Sequence, residues 1–323
     1  MPRNGARPSG TGKQDGDGPV TAGGITVELS RTGKVLFPAD GITKGDLIEY
    51  YAEVAGWMLP HLRERPLALA RYPDGTGGER IFAKNVPAYF PEWVSRAEVA
   101  KQDGSLSQVI CDKPATLIYL ANQACIELHV FLSRAGRLHC LDQVVVDLDP
   151  PGPERFGDAR QAALLLRDLL EGELGLTTFV KTTGGKGLHV HLPLDGRSDA
   201  DEARQFTRDV ADLLAARHPD LLTTAQRKDQ RGDRVYADIM RNAYAQTVVA
   251  AYSVRARPGA PVATPLHWDE VANPKLDPGD FTLRTVPGRL DQAGKPGDPW
   301  AGRYRHRFSL ARASSKLTRL AAR

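Results

Sequence analysis

Downstream of Thr43, the apolar residues Leu47, Ile48, Tyr51, Val54, Ala55, Met58, Leu59 and Leu62 recur at the spacing that places them on one helix face. Thr43 suits the N-cap, because its hydroxyl accepts from a backbone N–H that has no partner inside the helix. Pro60 is expected to end or kink this helix, since it lacks an N–H and its ring crowds the preceding turn. Short apolar runs at 67–71 (LALAR), 106–110 (LSQVI) and 116–120 (TLIYL) read as strands. The most apolar run, Leu141 to Leu148, reads as a buried strand. An apolar stripe predicts a helix over about 159–171, followed by a strand at 177–182. The alternating segment 188–192 (LHVHL) predicts another strand, 200–217 a helix, and 234–239 and 247–252 two more strands. Beyond 257 the chain is rich in Pro and Gly and reads as an irregular wrap. Meanders of strands mixed with helices imply an α+β fold with a mixed sheet. No repeat and no linker interrupts residues 24–300, which read as one unit.

The ends of the chain differ from this middle. Residues 1–24 hold seven Gly and three Pro with scattered charges, too little apolar surface to pack, and are expected to be disordered. Residues 303–323 (RYRHRFSLARASSKLTRLAAR) carry seven Lys or Arg and no acid, so the rest of the chain is net −3 against +4 overall. That segment is expected to be a basic tail suited to a polyanion, or else a solvated terminal helix. The expected division is therefore a tail at 1–24, one domain at 25–302 and a basic tail at 303–323. Cys111, Cys125 and Cys140 are an odd number without a CxxC pair, which argues against a disulfide scaffold or a zinc knuckle. With no apolar run of membrane-spanning length and no secretory leader pattern, a cytoplasmic, nucleoid-associated protein with no membrane partner is the expectation.

Three segments carry chemistry. In VVVDLDPP, Val144 to Val146 lead into Asp147, Leu148, Asp149, Pro150 and Pro151. Residues i and i+2 of a strand share a face, so Asp147 and Asp149 project side by side where the prolines stop the strand. Two carboxylates that close repel, and a hard divalent ion such as Mg²⁺ or Mn²⁺ relieves the repulsion; an exposed acid pair in a loop is the plainer alternative. In KTTGGKGLHVH, Gly184, Gly185 and Gly187 let backbone approach an anion, with Thr183 and Lys186 as donors. The spacing is not that of a Walker A loop. His189 adjoins the glycine turn, whereas His191 reads as an ordinary strand histidine. In RVYADIMRNAYAQTVVAAYSVRARPG, Asp238 ends an apolar strand and offers a third carboxylate. Arg241 and Arg255 suit a triphosphate, and Arg257 reads as a surface charge. Two KQDG strings, at Lys13 and Lys101, mimic the adenylylated-lysine motif of DNA ligases but lack its surrounding residues. The Asp-x-Asp also occurs in haloacid-dehalogenase phosphatases, where Gly and Thr follow rather than two prolines.

Taken together, these segments resemble the archaeo-eukaryotic primase superfamily, and within it the polymerase domain of bacterial ligase D, the non-homologous end-joining polymerase. The resemblance runs from about Ile25 to Arg307 and includes RTGKVLFPADGITKGDLIEYYAEVA, ERIFAKNVPAYFPEW and IELHV as well as the three motifs. It implies a primase-polymerase fold, mixed or antiparallel sheets flanked by helices, and template-directed nucleotidyl transfer onto primer ends at breaks or gaps. It further implies that Asp147, Asp149 and Asp238 hold two divalent ions, Mn²⁺ or Mg²⁺. His129, Thr183, Lys186, His189, Arg241 and Arg255 would contact the incoming NTP or dNTP, with His129 near the sugar and ribonucleotides favoured. Lys34 and Lys44 match a pocket for the 5′-phosphate of a broken end. Phe82 matches an aromatic that stacks on template, although Ile81 stands where many relatives have a second aromatic. Gapped or broken DNA is the implied partner, with Ku and a separate DNA ligase alongside. The ligase and phosphoesterase modules of full ligase D have no counterpart in 323 residues. A stand-alone primase, a non-catalytic DNA-end scaffold and a metal phosphohydrolase are the competing readings.

Overall fold

The computed structural model describes residues 16–292 and 298–322. In chain order the first strands are β1 (Gly18–Ala22), β2 (Ile25–Leu29), β3 (Val35–Phe37) and β4 (Ile42–Thr43), followed by helices α1 (Lys44–Glu53) and α2 (Ala55–Leu62). Strands β5 (Pro66–Arg71), β6 (Ile81–Ala83), β7 (Arg96–Lys101) and β8 (Gly104–Ile110) come next, then α3 (Pro114–Asn122), β9 (Cys125–Phe131) and β10 (Gln143–Asp149). The second half holds α4 (Phe156–Arg167), β11 (Phe179–Thr182), β12 (Leu188–Pro193), α5 (Ala200–Arg217), β13 (Leu222–Thr223), β14 (Val235–Asp238) and β15 (Thr247–Val249). It closes with β16 (Pro265–Leu266), α6 (Trp268–Ala272), α7 (Val286–Gln292) and α8 (Leu310–Ala321).

Two six-stranded sheets carry the fold. One runs β15-β9-β5-β8-β7 with β6 paired to β5, and the other runs β13-β14-β10-β12-β11-β16. Among the described strands only the β13–β14 pair is parallel, so the α+β, mixed-sheet expectation holds. Helices α4 and α5 pack against β10. By strand alternation Val144, Val146 and Leu148 take one face, leaving Asp147 and Asp149 on the other. α1 begins where the sequence predicts, because Thr43 and Asp46 form a capping box: each side chain accepts from the other's backbone N–H. The stripe that follows is two helices rather than one. The break falls at Val54, and α2 runs two residues past Pro60.

Three expectations are corrected. Residues 116–120 are not a strand but part of α3, which starts at Pro114 and is buried from Ala115 to Asn122. A short, continuously apolar run has no period that separates a buried helix from a buried strand. Within 1–24, residues 18–22 form β1, held in register against β2 from Gly18↔Leu29 to Ala22↔Ile25; residues 1–15, with the first KQDG lysine, lie outside the described residues. Residues 303–323 are likewise not a free tail as far as they are described. Arg303 is buried, and Tyr304 lies under the guanidinium groups of Arg65, Arg134, Arg303 and Arg307. α8 packs on α5 through Leu310, Ala313 and Leu317. Cys111 and Cys125 are buried free thiols and Cys140 is half-buried. No helix among the described residues is long and apolar enough to cross a membrane.

Because α8 is held by its apolar stripe, Leu317→Ala should lower stability by about 2–3 kcal/mol in a denaturant titration, whereas Arg312→Ala and Arg319→Ala, both exposed, should change it by less than about 0.5 kcal/mol.

Candidate active site

β10 is an interior strand of its sheet, and its register decides which side chains meet. Asp147 lies directly opposite Asp238 of β14 on one side and His189 of β12 on the other. His189 in turn lies opposite Lys181 of β11. Directly opposed residues share a face, so Asp238, Asp147, His189 and Lys181 form a row across four strands. Asp149, two residues beyond Asp147, extends the acidic edge on the same face.

Each member has a local partner. His189 Nε2 sits 3.3 Å from Asp147 Oδ2. Lys186 Nζ lies 3.3 Å from Asp149 Oδ1 and donates to the carbonyls of Pro150 and Pro151, pinning the glycine loop onto the end of β10. Asp238 Oδ1 accepts from the Met240 N–H at 2.7 Å. Burial alone would push the Asp147 carboxyl up, but His189, Lys181 and Arg241 outweigh it and hold the group below its ordinary range. Asp238 goes the other way. Burial and the facing Asp147 charge raise it against the pull of the Met240 N–H and Arg241. Among the described residues, no three His, Cys, Asp or Glu side chains are already drawn into a metal cage. The three carboxylates line one cavity while each is held by its own neighbour.

That cavity, about 410 Å³, lies between the two sheets. Asp147, Asp149, His189, Asp238 and Lys186 form one wall, and Phe82 of β6, His129 of β9 and the β15 strand form the other. Arg80, Arg241, Arg255 and Arg257 add four guanidinium groups. Arg257, read from sequence as a surface charge, thus faces the site, and it makes no ion pair among the described residues. Two glycines are demanded by close approach. A Cβ on Gly187 would sit 2.5 Å from the Leu148 carbonyl oxygen, and one on Gly184, at φ +65°, would meet Arg255 Cγ at 2.5 Å. The Thr183 hydroxyl is engaged inside the loop, bonding Gly187. His191 is buried with Nδ1 on Gln143 Oε1, as an ordinary strand histidine would be. A larger cavity, about 620 Å³, opens near Asp142 at the other end of β10 but holds none of these acids.

Lys34 and Lys44 do come together: the Lys44 N–H donates to the Lys34 carbonyl at 2.8 Å. Their ammonium groups are engaged separately. Lys34 Nζ pairs with Asp74 at 2.9 Å, and the buried Lys44 donates to the Asn122 carbonyl at 3.1 Å. Burial, aided by Arg31 and Lys34, lowers Lys44 to about 8. Phe82 is well exposed, with the Arg80 guanidinium 4.8 Å from its ring centre and its ring edge-on to His129.

Three contributors were not assigned from sequence. Glu127, two residues before His129, is buried between that ring and Arg255. Strand alternation already placed Glu127 and His129 on one face. Lys181 lies inside the quoted KTTGG motif, but nothing local marks it as buried. Asn242 pairs with the Val145 backbone, accepting from its N–H at 2.8 Å and donating to its carbonyl at 2.7 Å, and so docks the turn after Asp238 onto β10. No local signal marks it.

A two-sheet α+β fold whose inner strand presents acids to a cavity rimmed by arginines and a glycine loop suits a site that handles phosphate groups and divalent ions. Residues 43–300 match the family described as LigD, primase-polymerase domain, and the chain belongs to that family. The bifunctional non-homologous end joining protein LigD of Bacillus subtilis is 35% identical over 282 residues, which cover 87% of this chain and 44% of that protein. The multifunctional non-homologous end joining DNA repair protein LigD of Mycobacterium tuberculosis H37Rv is 36% identical over 258 residues, 77% of this chain and 34% of the relative. The chain thus spans less than half the length of these curated relatives. The polymerase domain from Mycobacterium tuberculosis ligase D, solved in complex with DNA, superposes with a TM-score of 0.79 at 34% identity, covering 85% of this chain and 96% of that one.

Removing the Asn242 side chain would leave the N–H and C=O of Val145 unpaired in the core. Asn242→Ala should therefore cost about 2–4 kcal/mol in chemical denaturation. Asn242→Asp, which sets a buried carboxylate oxygen against the Val145 and Ile239 carbonyls, should cost at least as much.

Proposed function

We propose that the protein is a template-directed nucleotidyltransferase that extends or fills primer ends at DNA gaps and breaks bearing a 5′-phosphate. The observation that carries this reading is the placement of Asp147, Asp149 and Asp238 on one wall of a cavity that also holds Arg241, Arg255 and His129. The donor chemistry fits hard divalent ions, since all three candidate ligands are carboxylates. Burial and the facing Asp147 raise Asp238, and a bound cation would favour its charged form. Asp147, Asp149 and Asp238 would hold two Mn²⁺ or Mg²⁺ ions, which when bound supply Lewis-acid stabilisation of the attacking 3′-hydroxyl and the pyrophosphate leaving group. Arg241 and Arg255, with Lys186 and the loop of Thr183, would neutralise and orient the triphosphate. His189 orients Asp147, His129 faces the sugar and favours ribonucleotides, and Phe82 offers a face for a template base. Extension up to a 5′-phosphate leaves a nick, so a separate DNA ligase, with Ku holding the ends, is the proposed company.

The test is a gapped duplex with a 5′-phosphate, nucleotides and Mn²⁺. Primer extension supports this reading, binding without extension supports an end-binding scaffold, and phosphate release supports a phosphohydrolase. Asp147→Asn keeps an acceptor for His189 but loses the charge. It should lower nucleotide addition by roughly a hundredfold or more while leaving affinity for gapped DNA unchanged.

The 5′-phosphate should be read at Lys34 and Lys44. Among the described residues only one of the three N–H donors of Lys44 has a protein acceptor, so two remain for an anion. Each charge-assisted contact is worth on the order of 1.5–3 kcal/mol. Wild type should bind the phosphorylated gap more tightly than the unphosphorylated one, and Lys34→Ala/Lys44→Ala should lose that preference rather than all affinity. Equal binding of both duplexes by wild type would remove the pocket. The preference should also depend on pH. Lys44 is charged below its value of about 8 and neutral above it, whereas a terminal phosphate stays doubly charged throughout that range. Preference for the phosphorylated end should therefore decline between about pH 7 and pH 9, and Lys44→Ala should flatten that decline.

A further inference from the structure

Glu127 is 4% exposed, deep in the wall that carries His129, and no role has yet been given to it. Its carboxylate is the meeting point of the surrounding cations. Oε1 accepts from Arg255 Nε at 3.0 Å and from the Ala256 N–H at 3.0 Å. Oε2 lies 3.1 Å from His129 Nε2 and 3.7 Å from an Arg80 guanidinium nitrogen. Arg255 is held at its other end as well, donating from Nη1 to the Thr183 carbonyl at 2.8 Å. Arg80 lies over Phe82, which meets His129 edge-on at 5.5 Å between ring centres. One buried carboxylate therefore joins the histidine, the arginine that holds the glycine loop and, through Arg80, the aromatic of β6.

Hydrogen-bond chemistry makes this more than a structural tie. A carboxylate only accepts, so the ring nitrogen facing it must carry the proton. His129 Nε2 is then the N–H. In the neutral ring that burial favours, Nδ1 is the acceptor. Nδ1 has no protein partner among the described residues, and His129 lines the cavity. An acceptor at that position can take the proton of the hydroxyl that ribose carries and deoxyribose lacks.

We propose that Glu127 is the positioning residue that sets nucleotide selection: by taking the Nε2 proton it presents Nδ1 of His129 as an acceptor for a ribose hydroxyl, and by holding Arg255 it ties sugar recognition to phosphate recognition. The ligand is a ribonucleoside triphosphate, and the inference rests on reading the cavity as its site.

Glu127→Gln is close in size but uncharged, and its amide cannot accept from His129, Arg255 and Ala256 together. In extension assays the KM for both nucleotide classes should rise through the loosened Arg255. The ribonucleotide advantage in kcat/KM should shrink by roughly tenfold, the worth of about one hydrogen bond, while kcat at saturation changes less than about threefold. Glu127→Asp, which keeps a carboxylate, should recover part of the advantage. A merely structural carboxylate would lower both nucleotide classes alike, and an unchanged ratio in Glu127→Gln would overturn the proposal. Imidazole ¹⁵N spectra of the free protein give a readout independent of activity. Wild-type His129 should carry its proton on Nε2, with an Nδ1–H form appearing in Glu127→Gln; a wild-type proton on Nδ1 would overturn the assignment even if Glu127→Gln did not fold. A wild type with the Nε2–H ring but no ribonucleotide preference would overturn the selection role of Glu127, while template-directed extension of the gapped duplex would still stand.

Discussion

Two carboxylates stand directly opposite each other across the β10–β14 pair, and the site is organised around that repulsion. Asp147 and Asp238 share one register position and one face, an arrangement of like charges that destabilises a sheet. The fold answers it unequally. His189 and Lys181, next in the same row, lower Asp147, while Asp238 is left raised by burial and by Asp147 itself. A sheet built for stability alone would place an apolar residue or a cation at one of the two positions. The pair makes chemical sense where a cation of higher charge is part of the working molecule.

The two sheets meet at this row through polar contacts distant in sequence. The chain between β15 and β16 carries many of them. Tyr50 donates to the Tyr252 carbonyl, Ser253 accepts from the Leu128 N–H, and Arg255 links Glu127 on one sheet to Thr183 on the other. Within one sheet, Asn242 docks the turn after β14 onto β10. These buried hydrogen bonds stand beside one continuous apolar core to which both sheets contribute.

Much of the site was legible in the sequence because strand alternation is local. VVVDLD announces a buried strand that turns acidic on one face, and Asp238 ends another apolar strand. The resemblance to the ligase D polymerase domain then joined motifs that are individually weak. What was not legible depends on register and long-range contact. Nothing in the sequence states that Asp147 pairs with Asp238 rather than with a neighbour, or that the exposed Arg257 stands at the rim of the cavity. The run TLIYL was misread because continuous apolarity suits a buried helix as well as a strand. Residues 303–323 were misread because charge dominates their composition, while Leu310, Ala313 and Leu317 at helical spacing dock α8.

The central claim is that Asp147, Asp149 and Asp238 act together as the seat of divalent ions. Its most direct test is to count Mn²⁺ bound per chain by electron paramagnetic resonance, with a nucleotide present, in wild type and in Asp147→Asn and Asp238→Asn. The account predicts two saturable ions in wild type and loss of at least one in each variant, with the fold intact by circular dichroism. Equal Mn²⁺ stoichiometry and affinity in all three proteins would contradict it.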